Sequence, residues 1–292
     1  MISKQNCLRE ARARSSRRPR GIVTQLTLLA VLSLGAMAMI LPFVWMIATS
    51  LSRQANISMP RDPSFWPPDP SLFNYRVASA NLPVARLYLN SIIVAGGSTI
   101  GYLLFSSMTG YAFAKGRFRG KSVLFIAFLS TLLIPFETRM IPLYLLMKKL
   151  ALTDTLAALI VPFLVGGFGT FLLRQHITTI PDDLIDAARI DGAGEFRIFW
   201  TIILPLCKSA LAALAIVNVI WRWNDVLWPL LVITTRENQT LTQGLAAAGR
   251  ASGVFPGVAL ATAVLAVGPV IIAYLILQRH IIRGVATSGL KG

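Results

Sequence analysis

The side chains able to do acid–base, nucleophilic or metal chemistry are few in this 292-residue chain and lie far apart. There are two histidines and two cysteines. His176 and His280 stand alone, and structural or catalytic metal sites need three or four converging ligands. Cys7 and Cys207 have no ligand-type neighbours, and no Ser/His/Asp or Cys/His arrangement is visible. Gly116-Arg-Phe-Arg-Gly120-Lys121-Ser122 has the outline of a phosphate-binding loop. That motif needs four residues between its glycines and a preceding strand, whereas three residues and a preceding apolar run are found here. Asn56-Ile-Ser58 and Asn238-Gln-Thr240 match a glycosylation triplet that recurs by chance. The chain therefore reads as no enzyme, with no nucleotide, cofactor or metal site of its own.

What remains are charged residues placed inside apolar stretches. An ionisable group there costs about 2.5–3.5 kcal/mol on insertion scales, so it faces a cavity or a partner. Glu137 and Arg139 lie between Pro135 and Pro142, and at i and i+2 they do not face each other on a helix. Arg222 and Asp225, at i and i+3, can pair. Trp221, Trp223, Asn224 and Trp228 surround them with ring faces and an amide, groups suited to a sugar's apolar face and hydroxyls. Glu137, Arg139, Arg222, Trp223, Asn224, Asp225 and Trp228 are the candidate substrate-pathway residues. The competing reading is helix packing around a structural ion pair.

The polar stretch from Arg174 to Lys208 is too long for a simple turn. Pro181 suits a first helical position, and Asp182 and Asp183 place acids in the first turn, where the helix dipole favours them. Asp191-Gly192 reads as a stop, with glycine supplying a positive φ. A second helix is expected from Ala193, with Phe196, Phe199, Trp200 and Ile203 forming one apolar face at i, i+3, i+4 and i+7. Two short helices joined by a sharp turn make a docking knob. The small residues Ala187, Ala188, Gly192 and Ala193 would let another protein close over it.

The elements that position these groups are membrane helices. The composition is 55% hydrophobic and 14% charged, against about a quarter charged in soluble domains. No Asp, Glu, Lys or Arg occurs between Arg20 and Arg53, between Arg86 and Lys115, or between Arg250 and Arg279. Each gap exceeds the roughly 20 apolar residues of a spanning helix. Shorter apolar runs at 122–147, 155–173 and 209–233 bring the expected spans to six. The fold class is all-α and polytopic, with spans near 22–50, 91–114, 122–147, 155–173, 209–233 and 257–278. It divides into a basic tail over 1–20, a transmembrane domain over 21–283 with the knob-bearing loop at 175–208, and a tail over 284–292. The net charge of +16 would point a soluble protein toward nucleic acid. Here Lys and Arg collect in alternate loops, which places both termini in the cytoplasm, the knob on the same side, and nucleic acid outside the partner list. The first apolar run, 22–49, is longer than a signal-peptide core and is expected to be retained. Lipid is the medium of these spans.

Asp186-Ala187-Ala188, Gly192, Ile202, Leu204 and Pro205 fall in register on the E-A-A-x(3)-G-x(9)-I-x-L-P signature of importer permeases of the ATP-binding cassette class. Asp186 replaces the usual Glu, one methylene shorter with the same charge. Asn90-Ser91, Ile141-Pro142 through Met147, Leu173-Arg174-Gln175, Trp223-Asn224-Asp225 with Trp228-Pro229, Leu241 to Leu245, Gln278-Arg279 and the terminal Ser288 to Gly292 resemble the carbohydrate branch. Size and tail resemble the smaller, six-span partner of its maltose-type pair. The resemblance covers most of the chain from about residue 65. It implies a second related permease, two ATPase subunits that bind ATP-Mg, and an extracytoplasmic solute-binding protein. It also implies ATPase coupling through Asp186, Ala187, Ala188, Asp191, Gly192, Ala193, Leu204 and Pro205, and a sugar or oligosaccharide substrate. The alternatives are a glycerol-phosphate-type substrate in the same class, an ion-coupled secondary transporter using Glu137 or Asp225, and a membrane scaffold without flux.

Overall fold

A computed structural model describes residues 22–56, 65–67, 69–81, 83–251, 255–268 and 271. The two terminal tails, Cys7, His280, Gln278-Arg279 and the Ser288–Gly292 stretch lie outside the described residues. Among the described residues the protein is helical, with one isolated bridge between Ser52 and Pro70 and no strand.

The first helix, α1 (Ile22–Ser50), coincides with the expected first span. Its apolar window is unburied within the chain. Its C-terminal end is tied to α2 (Phe73–Asn81), where Asn74 Nδ2 donates to the carbonyls of Ser50 at 2.8 Å and Ser52 at 2.9 Å. Helix α3 (Val84–Lys115) starts seven residues before the expected second span, with Pro83 at its N-cap. Proline suits the start of a helix because its missing N–H would have had no intrahelical partner there. Helices α1 and α3 are each long and apolar enough to cross a membrane.

Three of the other apolar runs contain bends or breaks. Residues Lys121–Leu133, comprising α4 (Lys121–Ser130) and a 3₁₀ turn, meet α5 (Phe136–Lys149) at 103°. The expected span 122–147 is therefore not one straight helix. Its break lies at Ile134-Pro135 alone, and Pro142 sits inside α5. The run 155–173 is α6 (Leu156–Ile160) with a 3₁₀ turn through Pro162, then α7 (Gly167–Thr178), bent by 43° at Gly166. The knob comprises α8 (Asp182–Ile190) and α9 (Glu195–Ile198), the latter prolonged by a π-helical turn over Phe199–Ile203 and a last α-helical turn to Leu206. This arm meets α10 (Lys208–Trp223) at 77°. The expected span 209–233 is broken after Trp223, and α11 (Leu227–Val232) follows separately. Helices α12 (Leu241–Ala251) and α13 (Pro256–Gly268) complete the described chain.

Helix α3 is the central post, packed mainly on α7 and then on α10, α6 and α12. Small residues let it approach α7 closely, which helix association in lipid requires. A Cβ on Gly110 would stand 3.1 Å from the Arg174 backbone nitrogen. One on Gly169 would stand 2.6 Å from Ser106 Oγ and 2.9 Å from the Tyr102 ring. The Gly169 N–H donates to Tyr102 Oη at 2.9 Å. Polar bridges add to the packing: Thr99 Oγ1 donates to Asn218 Oδ1 at 2.9 Å, and Thr109 and Thr170 hydroxyls are 2.8 Å apart.

Gly169→Ala is expected to destabilise the protein by about 1–3 kcal/mol, the usual cost of overpacking. It should appear as a lowered thermal midpoint of the detergent-purified protein. Gly96→Ala, whose Cβ would meet nothing within 4 Å, should leave the midpoint in place.

Candidate functional site

The knob is built from a helix stop. The α8 C-cap is Asp191, and Gly192 follows at φ +79°. The Gly192 N–H donates to Arg189 O at 3.0 Å and the Ala193 N–H to Ala188 O at 2.9 Å. These are the two bonds of a Schellman motif, so Asp191, Gly192 and Ala193 end α8 and turn the chain toward α9. Glu195 opens α9, two residues later than expected.

One apolar core welds this knob to the long helices. Ile185, Ile198, Phe199, Ile203 and Cys207 pack with Tyr102 of α3, Leu173 and Ile177 of α7, and Leu214 of α10. The expected single face of Phe196, Phe199, Trp200 and Ile203 is split in two. Phe199 and Ile203 are buried, whereas Phe196 and Trp200 are 70% and 42% exposed. The π turn adds a residue to that turn of helix and rotates the register, which spacing drawn for a regular helix does not anticipate. Ile190 is 87% exposed and Leu184 48%. Asp186, Ala187, Gly192 and Pro205 are also exposed, with Ala188, Ala193 and Leu204 half-buried.

Ion pairs hold the knob from the other side. Arg189 binds Asp186 through Nη1 and Glu195 through Nε, both at 2.8 Å, and Glu195 accepts from Tyr111 Oη at 2.6 Å. Lys115, the last residue of α3, donates to Asp182 Oδ1 and to Ile180 O, both at 2.6 Å. The hydrogen bond from Lys115 holds the Asp182 carboxyl below the usual carboxylate range. A depressed carboxylate of this kind contributes its tie at neutral pH and loses it as pH falls through the lowered value. Tyr111 and Lys115 escaped the sequence reading. Their i, i+4 spacing at the end of α3 puts both on one side of the helix.

Four of the seven candidate pathway residues, Arg139, Arg222, Asp225 and Trp228, form one cluster, and Glu137, Trp223 and Asn224 lie outside it. The rings of Phe136, Phe163 and Trp228 touch mutually, at centroid separations of 5.6 to 6.1 Å. Arg139 lies 5.9 Å from the Phe136 ring and Arg222 3.8 Å from the Phe163 ring. Arg222 Nη1 meets Asp225 Oδ2 at 3.0 Å. Trp228 is fully buried and donates Nε1 to Ala158 O at 2.9 Å, so its ring serves packing in this conformation. Asn224 spends Nδ2 on Ile220 O of its own helix at 2.9 Å. The buried Trp223 Nε1 lacks a hydrogen-bond partner among the described residues, and its ring lies 6.5 Å from that of Tyr88. Glu137 stands exposed on α5 without an ion-pair partner among the described residues. Where the expected span breaks, Asp225 Oδ1 accepts from the Trp228 N–H in the first turn of α11 at 3.3 Å.

At the other end of α3 a loop is clamped by Asp154, which the sequence reading did not single out, and by Asn90 and Ser91, which entered it only through the family resemblance. Asp154, at φ +62°, accepts from the N–H groups of Thr234 and Thr235 at 2.9 and 3.0 Å. These bonds, that from Thr235 foremost, lower its carboxyl pKa. Asn90 Nδ2 donates to the carbonyls of Glu237 and Gln239, and Ser91 Oγ accepts from the Leu241 N–H at 2.8 Å. Among the described residues no group of three or more His, Cys, Asp or Glu is placed to hold a metal ion.

Comparison with known proteins gives the context. Residues 102–287 match the family described as "Binding-protein-dependent transport system inner membrane component". The chain is 41% identical over 203 residues to the arabinooligosaccharides transport system permease protein AraQ of Halalkalibacterium halodurans, covering 70% of this chain and 73% of the relative. It is 33% identical over 268 residues to the sn-glycerol-3-phosphate transport system permease protein UgpE of Escherichia coli K12, covering 88% and 94%. Its fold is similar to a chain of a bacterial ABC transporter involved in import of the acidic polysaccharide alginate, with TM-score 0.76 and 24% identity over 90% of this chain and 98% of that one.

Two substitutions test this geometry. Gly192→Ala meets no atom within 4 Å, so its cost is backbone strain at positive φ, about 1–2 kcal/mol. Hydrogen exchange should accelerate over residues 182–198 and stay unchanged in α3. Arg222→Ala leaves Asp225 without its partner and Phe163 without its stacked cation. A loss of about 3 kcal/mol is expected, read as a lower thermal midpoint, and Arg222→Lys should recover only part because it cannot stack a planar guanidinium.

Proposed function

The chain belongs to the family of binding-protein-dependent transport system inner membrane components, and from that premise we propose that it is a permease subunit of an ATP-binding-cassette importer for a sugar or oligosaccharide. It pairs with a second related permease to enclose the pathway. Two ATPase subunits carrying ATP-Mg bind below, and an extracytoplasmic binding protein delivers the ligand. The chain crosses the inner membrane six times, with both termini and the 175–208 loop in the cytoplasm. Helices α1 and α3 supply two of those spans, the bent pairs over 121–149 and 156–178 two more, α10 with α11 the fifth, and α13 belongs to the sixth.

The observation that carries this reading is the knob. It exposes Ile190, Phe196 and Trp200 while its inner face is fused to α3, α7 and α10 through a dry core. An apolar outer face needs a protein cover, and a rigid inner face passes on whatever displaces that cover. Asp186, paired with Arg189 at 2.8 Å, braces α8 for that coupling, a role open to an acid one methylene shorter than Glu. On the opposite end, the clamped 234–241 loop presents α12 to the binding protein. Trp223, with its buried indole N–H, and Tyr88 offer a ring platform and a donor to a sugar. The relation to a glycerol-3-phosphate permease, together with exposed Arg139, favours as second reading an anionic substrate of that type.

The test is to express the chain with its genomic neighbours, purify through a tag on it, and measure ATP hydrolysis with the binding protein and candidate ligands. A complex containing a second permease and an ATPase, stimulated by a neutral sugar, is the expected result. Stimulation by glycerol phosphate alone would select the second substrate. Recovery of the chain without any ATPase subunit would sink the reading. Ile190→Asp, at a side chain that packs against nothing, should leave folding intact and reduce ATPase recovery about tenfold or more, since a charge is driven into an apolar contact.

A further inference from the structure

A hollow of about 350 Å³ lies between the α3–α4 turn and α8, its wall including Lys115, Arg117, Lys121, Asp182, Asp186 and Arg189. Its charged wall holds four cations and two carboxylates, and both carboxylates are already engaged. Asp182 is bound by Lys115 at 2.6 Å and Asp186 by Arg189 at 2.8 Å. The two cations left over, Arg117 and Lys121, have no carboxylate within ion-pair distance among the described residues. Lys121 is pinned by donating to Ala114 O and Gly116 O, both at 3.0 Å, and an ammonium has a third donor to give. Arg174 and Lys115 repel it, and Asp182 attracts it less strongly. Lys115 and Lys121, both held by hydrogen bonds, thus keep positive charge close together, which an entering anion relieves.

We infer that this hollow between the α3–α4 turn and the knob binds a phosphate-bearing anion, through Arg117 and Lys121. Its level in the fold favours a lipid headgroup as the source. Lys115 is the last residue of the apolar α3, Lys121 is the first of the apolar α4, and Phe118 between them is 43% exposed. Basic residues where apolar helices end lie at headgroup depth, where anionic lipids concentrate. Free inorganic phosphate has the same chemistry and would use the same two cations. Arg119, in the same turn, does not line the hollow and provides a matched control for net charge.

The test uses the intact importer complex in nanodiscs of phosphatidylcholine with or without 30% phosphatidylglycerol. Native mass spectrometry reads lipid retained on the complex, and titration calorimetry reads inorganic phosphate in the lipid without phosphatidylglycerol. Retained phosphatidylglycerol that falls about tenfold in Arg117→Gln/Lys121→Gln, as expected for losing charge-assisted hydrogen bonds, and persists in Arg119→Gln supports the lipid-filled site. Phosphate binding that depends on the same pair without phosphatidylglycerol retention supports the site with the soluble ion as its occupant. Arg117→Lys/Lys121→Arg, which keeps both charges, should restore binding and separates loss of the site from loss of folding. Equal retention in the double glutamine variant and Arg119→Gln, or no binding of either ligand, overturns the inference.

Discussion

The structure depends on one contact surface, the face of α3 on α7. Small residues at Gly110 and Gly169 bring the two backbones close enough for the Tyr102 hydroxyl to receive a backbone N–H. In lipid, apolar burial between helices gives little net drive, so close packing and internal hydrogen bonds must supply it. Every other feature is mounted on this pair. The knob grips its one end through the core around Leu173 and Ile177, and the 237–241 loop grips the other through Asn90 and Ser91.

The two ends are built by different physics. At the knob, apolar side chains do the fixing and ion pairs trim the outside. The pairs of Arg189 are exposed and worth little each, so they choose the orientation of α8 more than they stabilise it. At the opposite end the fixing is polar: Asn90 donates to the carbonyls of Glu237 and Gln239, the Asp154 carboxylate accepts from the N–H groups of Thr234 and Thr235, and Asn238 donates to the Asp154 carbonyl. Between them, the Phe136, Phe163 and Trp228 rings with Arg222 and Asp225 show how charge is kept in an apolar layer. Both charges are paired, and the guanidinium is stacked.

The sequence made the class of fold and the knob legible because both are written in local pattern. Long stretches without charge, from Arg20 to Arg53 and from Arg86 to Lys115, define α1 and α3, and Pro181, Asp182, Asp183 and Gly192 mark the start and stop of α8. Breaks were less legible. Pro135 interrupts its run but Pro142 does not, and the stop after Trp223 is accompanied by a short-range bond from the Trp228 N–H to Asp225 that an apolar count ignores. The division of Phe196 and Trp200 from Phe199 and Ile203 depends on a π turn that has no simple residue signature. Tyr111 and Glu195, 84 positions apart, meet only once α3, α7 and the knob have been assembled. The pairing of Arg222 with Asp225 was legible, being local. The retreat of Trp228 into the core was not, since it is decided by Phe136 and Phe163 from other elements.

Helix α3 runs unbroken for 32 residues, about 48 Å at the α-helical rise, while the next three apolar runs are bent or broken. A continuous helix neither shortens nor stretches appreciably under modest load. The loop clamped at its first turns and the knob clamped at its last two turns are thus mounted on a single push-rod. A tilt imposed at one end arrives at the other as a displacement scaled by the lever arm, with no relay of side-chain rearrangements in between.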